Sequence, residues 1–141
     1  MKINLPHGRI LWGTALVLLV SSFSANSQQN SYRFSLEAVN AHAVMDIRTT
    51  QPLPCIGYSI RSQVQWEKDT VVIILSGFVR PSPCMQGMEP ASAQIDLGLE
   101  PKDILYVKIQ EDTLSNLWKF SLAEDGFHAS PIHDSFTSYS K

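Results

Sequence analysis

The clearest periodicity in the chain begins just after the first of its two cysteines. Over residues 56–66 the even positions read Ile56, Tyr58, Ile60, Ser62, Val64 and Trp66, and the odd positions Gly57, Ser59, Arg61, Gln63 and Gln65. Such alternation puts every second side chain on one face, so it predicts a strand with its even positions against a core. A polar turn (EKDT, 67–70) leads into VVIILSGFV, apolar and β-branched on both faces, which predicts a central strand. The two strands fold as a hairpin about Lys68 and Asp69, and facing residues then have numbers adding to about 137.

The same period recurs along the chain. Tyr32, Phe34, Leu36 and Ala38 alternate with Arg33, Ser35 and Glu37, and residues 44–48 form a short second strand. Ala93, Ile95 and Leu97 alternate with polar neighbours, as do Leu105, Val107 and Ile109, then Trp118, Phe120 and Leu122. Turns fall at GLEPKD (98–103) and EDTLSN (111–116). About six to eight short strands with no helical period predict an all-β fold, an antiparallel β-sandwich over residues 28–122. Clean one-face alternation argues against a parallel α/β sheet. Residues 123–141, rich in Ser and Asp, are expected to add at most one strand near 127–132 and then fray. On that reading, cutting the chain after Ala129 leaves thermal stability nearly unchanged.

Trp66, eleven residues after Cys55, resembles the immunoglobulin pattern, but only in architecture. The immunoglobulin bridge joins two sheets and has a Tyr two residues before the second Cys, where Ser82 stands here.

The cysteines sit in a repeated phrase, PLPCIG and PSPCMQG. Cys55 and Cys84 have numbers adding to 139, so the hairpin register brings them together at its open end. A zinc site needs more ligands in closer spacing, and a thioredoxin-like pair needs Cys-x-x-Cys. One intrachain disulfide is therefore expected, with the Pro-x-Pro segments as stiff leads that end the ladder.

That expectation matches the N-terminus. Lys2 and Arg9 precede an apolar run of 11 residues (10–20), then small residues with Ala25 and Ser27 before Gln28. This is the layout of a secretory signal peptide over 1–27, and the run is shorter than a membrane-spanning helix requires. Export to a periplasm or the extracellular space is expected, with no membrane span in the mature chain. Losing Lys2 and Arg9 from 11 bases leaves 9 against 13 acids, a formal charge of −4, which provides no footprint for nucleic acid.

No arrangement of residue types announces chemistry. The chain after the leader has His42, His128 and His133, and Asp125 and Asp134 flank the last two, which makes 125–134 the candidate for a metal or acid–base site. The five-residue spacing of His128 and His133 suits neither a helix face nor a strand face, and Pro131 lies between them. Ser135 beside them lacks a nucleophile elbow. Acid pairs in the turns lack the calcium-loop pattern. No metal and no cofactor are expected, and no catalytic residue is assigned. The expected function is an exported binding module for a protein or surface ligand. Its contact loop is at 80–91, with Arg80, Met85, Gln86 and Met88 as contacts. The competing reading of Met85 and Met88 has them capping the core. An inhibitor of a secreted enzyme, or a small secreted hydrolase, is the alternative function.

Overall fold

The computed structural model describes residues 31–98 and 100–141. The expected leader, 1–27, lies outside them. Nine strands follow in order: β1 Tyr32–Val39, β2 His42–Leu53, β3 Ser59–Glu67, β4 Thr70–Val79, β5 Glu89–Asp96, β6 Ile104–Glu111, β7 Leu114–Ala123, β8 Gly126–His133 and β9 Thr137–Tyr139. They hydrogen-bond into one sheet, β8-β7-β6-β4-β3-β5-β2-β1-β9, which curls into a nearly closed barrel.

The all-β class holds, and two details differ from the expected antiparallel sandwich. There are nine strands in one sheet, where six to eight in two packed sheets were expected. Three of the pairings, β1 with β9, β3 with β5 and β4 with β6, are parallel. Alternation reports that each strand has one buried face. A sandwich and a barrel both satisfy that, so the period could not choose between them.

The β3–β4 hairpin follows the expected register from Glu67↔Thr70 to Ser62↔Leu75, then shifts by one at a bulge, ending Ile60↔Phe78 and Ser59↔Val79. Asn40 and Ala41, between β1 and β2, both have positive φ (49° and 65°), the signature of a two-residue turn matched to strand twist. Ala41 is the poorer fit, since its Cβ crowds the backbone in this region. Ala41→Gly is expected to raise stability by roughly 0.5–1 kcal/mol, read as a higher urea midpoint at unchanged m-value.

The core is built from the inward faces. Tyr32, Phe34 and Leu36 of β1, Met45 and Ile47 of β2, Val71, Ile73 and Leu75 of β4, Val107 and Ile109 of β6, and Trp118 and Phe120 of β7 are all buried. Val72, on the opposite face of β4, is buried too, between cross-strand neighbours Gln65 and Lys108. Lys108, half-buried beside Val72, reaches the exposed Glu67 carboxylate at 3.8 Å.

The segment expected to fray is woven into the barrel. β9 lies parallel to β1, and Phe127 and Phe136 are buried. The Tyr139 hydroxyl donates to the Phe127 carbonyl at 2.8 Å, tying β9 to β8 and drawing the two ends of the sheet together. Phe34 stacks edge-on against Trp118 and Phe120, with ring centroids 5.1 and 6.0 Å away, and Tyr139 completes the cluster at 5.7 Å from Phe34. The polar residue behind this is Asn116, fully buried in β7. Its Oδ1 accepts from the backbone N–H groups of Phe136 and Thr137 at 3.2 and 3.1 Å and from the Thr137 hydroxyl at 2.9 Å. Its Nδ2 donates to the His133 carbonyl and to Ser135 Oγ. Trp118 Nε1 donates to Thr137 Oγ1 at 2.9 Å.

The barrel is open along one line. β3 pairs with β5 only at Ser59↔Ser92, beyond which the two strands part. Val64 and Trp66 face the same side as their partners Ile73 and Val71, as the alternation predicts, yet they are 37% and 48% exposed. Among the described residues, no strand pairs with β3 alongside them on its β5 side.

Candidate functional site

The two cysteines form a disulfide, with Cα atoms 5.5 Å apart, at the end of the barrel where four strands meet. β2 leaves the sheet at Leu53 and reaches β3 by passing β5, while β4 leaves at Val79 and reaches β5 by passing β3. The two links, 54–58 and 80–88, therefore cross. Crossed connections at one end of a sheet are uncommon, and here a covalent bond is set at the crossing. Cys55 is buried beneath it and Cys84 is half-buried. The Ile56 N–H donates to the Met85 carbonyl at 3.2 Å, an isolated antiparallel bridge beside the disulfide. The Gly57 N–H donates to Glu89 Oε2 at 3.0 Å. Where the β2–β5 ladder breaks after Arg48, the Thr49 hydroxyl accepts from the Ala91 N–H at 3.0 Å and donates to the Gln51 carbonyl at 2.7 Å. The tip is thus held by several independent bonds despite its turn composition.

Gly87 runs directly over Ile56. A Cβ placed there would come within 2.6 Å of Ile56 Cγ1, so only glycine allows that approach without moving the side chain. Ile56, beneath Gly87, is 39% exposed, its bridge partner Met85 58% and Met88 66%. Arg80 and Gln86 are also in solvent. The methionines stand clear of the core that the competing reading would have them cap. Three exposed apolar side chains thus stand on the two bonded links, with Glu89 hydrogen-bonded to Gly57 beside Ile56. The site has no buried carboxylate, histidine or thiol.

The histidines are spread over the barrel. His42 Nδ1 meets Asp96 Oδ2 at 2.9 Å on one side. On the other, His128 Nε2 meets Asp125 Oδ1 at 2.7 Å while Lys141 Nζ donates to Asp125 Oδ2 at 2.6 Å. The carbonyl of His133 serves Asn116. Among the described residues no three His, Cys, Asp or Glu side chains gather as metal ligands would. The Lys141 hydrogen bond, and after it the one from His128, holds the Asp125 carboxyl down at about 2, below its usual 3.8. A depressed carboxylate contributes stability that is present above the unfolded value and fades as pH falls through the folded one. All three groups are exposed, so solvent screens the effect and the expected result is a titration. The Asp125 carboxyl carbon followed by NMR should titrate near 2 and move upward in Lys141→Ala, with no change in fold.

The sequence pointed to the disulfide through the cysteines and the hairpin register. It missed Asn116, which read as a turn residue, and Ile56, which read as inward-facing. The only available sign of Ile56's position was the Gly that follows it, which breaks the strand before Tyr58. No helix among the described residues is long and apolar enough to cross a membrane. No protein-family model matches the chain, and neither a curated protein nor a solved structure does.

Proposed function

We propose that the protein is an exported binding module without chemistry of its own, which meets a protein or surface ligand through the disulfide-anchored tip. The observation that carries this reading is the exposure of Ile56, Met85 and Met88 on two links held together by a disulfide and a backbone bridge. Exposed apolar side chains usually carry an ordering cost on binding, and a loop already fixed by covalent and backbone bonds has less to lose. Methionine adapts to irregular apolar partners, and the neighbouring Arg80 and Glu89 offer polar contacts at the rim. The disulfide is compatible with an oxidising compartment, which supports export.

The test compares capture by the oxidised protein with capture by a Met85→Asp, Met88→Asp double variant. A partner retained by the first and lost by the second, at equal circular dichroism and melting temperature, supports the reading. A partner held equally by both would move the contact elsewhere. Turnover of an ester, glycoside or peptide by the purified protein would replace binding by catalysis.

A further inference from the structure

The open line between β3 and β5 exposes a strand edge, and the direction of its free groups follows from the turn beside it. Glu67 and Thr70 close a two-residue loop, which requires them to be a hydrogen-bonded pair. Pairs then alternate along the ladder, so Glu67, Gln65 and Gln63 spend their backbone groups on β4. Trp66, Val64 and Ser62 point theirs away from it. Among the described residues nothing receives them, since β3 and β5 pair only at Ser59↔Ser92.

Proteins usually blunt such an edge with a charge, a proline, a bulge or a very short strand. The two ends of this sheet follow that rule. β8 carries Pro131 and a register shift, and β9 is three residues long. The stretch Ser62-Gln63-Val64-Gln65-Trp66 has neither charge nor proline, and its side facing the core presents Val64 and Trp66 to solvent.

The stretch is also nearly a mirror of itself. In Arg61-Ser62-Gln63-Val64-Gln65-Trp66-Glu67, an antiparallel copy centred on Val64 sets Gln63 against Gln65 and Arg61 against Glu67, each twice. It sets Val64 against Val64 and Ser62 against Trp66 of the second copy. These last pairs are the ones whose backbone groups point outward, so the register that matches the charges also matches the hydrogen bonds. We infer that β3 pairs with β3 of a second copy of this chain about a two-fold axis at Val64. The pairing continues the sheet across both barrels and gathers two Val64 and two Trp66 side chains on one face. This surface runs along a strand edge and is separate from the disulfide tip.

The experiment is light scattering and sedimentation of the purified, oxidised protein over a wide concentration range. The expected result is twice the monomer mass at high concentration, returning to the monomer on dilution. Val64→Pro removes an N–H that faces the second copy and spares the β4 ladder, so it is expected to be monomeric with an unchanged spectrum. Arg61→Glu sets like charges against Glu67 and is expected to weaken pairing at least tenfold, and Glu67→Arg added to it is expected to restore the dimer. If Val64→Pro does not fold, this charge exchange alone decides the matter. A protein that stays monomeric throughout overturns the inference. So does a dimer indifferent to both changes, or a monomer whose β3 edge takes up an unrelated extended peptide instead.

Discussion

A chain ending at Ala129 is expected not to fold. Removing residues 130–141 takes away half of β8, all of β9, and the buried Phe136. It strips the Asn116 side chain of every partner and leaves Trp118 Nε1 without Thr137 Oγ1. Tyr32 loses the Phe136 carbonyl that accepts from its N–H at 2.9 Å, and Phe34 loses the ring of Tyr139. Burying an aromatic side chain stabilises by roughly 1.5–3 kcal/mol, and each stranded buried polar group costs about 1–3 kcal/mol. Two rings and several polar groups together reach the roughly 5–15 kcal/mol that holds a domain folded. Asn116→Ala isolates the polar part. It leaves the Phe136 and Thr137 N–H groups unpaired inside the barrel, at an expected cost of about 3–5 kcal/mol. Asn116→Asp keeps the acceptor and loses two donors in a buried site, and it should fare little better. Urea unfolding checks both substitutions, and a dispersed amide spectrum from the truncated chain would refute the argument.

Replacing Cys55 and Cys84 together by Ser is the second large effect. The bond closes a loop with a sequence separation of 29, and the chain-entropy model gives about 3–4 kcal/mol for such a loop. The crossing of the two links adds a spatial expectation. β3 and β5 meet only at Ser59↔Ser92, close to the disulfide, so its loss should open the barrel there first. Amide exchange should accelerate at Tyr58–Ile60 and Ala91–Ala93 well before the β6–β7 ladder changes. An even acceleration over the whole barrel would show instead that the disulfide acts only on the unfolded chain. The reduced protein should also precipitate on warming, because the apolar run of β4 has no proline or charge to interrupt new pairing once its neighbour loosens.

The register of β3 and β4 was legible residue by residue, because a two-residue polar turn between two periodic runs leaves one sensible pairing. The shift at Arg61 was not, since a bulge has no period. Cys55 and Cys84 were legible through that same register. Val64 and Trp66 were assigned the right face but the wrong exposure. A face is a local property, whereas burial depends on which strand lies across the gap, and β5 turns away. The C-terminal segment misled because Ser, His and Asp dominate it. The residues that bind it to the barrel are single aromatics, Phe127, Phe136 and Tyr139, received by an asparagine whose type favours turns. At the candidate site the loop could be read from Pro and Gly. The outward set of Ile56 could not, because it depends on Gly87 passing over it from another link.

The pairing of β1 with β9 bears on how the molecule comes into being. Of the nine strands, a chain made from its N-terminus completes β1 first and β9 last. The hairpin of β1 and β2 can form early, but Phe34 stays wet on one side until Tyr139 arrives. Long-range closure of this kind is slow and leaves incomplete chains with exposed apolar surface. A chain released before β9 is made therefore cannot close its barrel and stays open to proteases. Until β9 is laid beside β1, the barrel does not shut over Phe34.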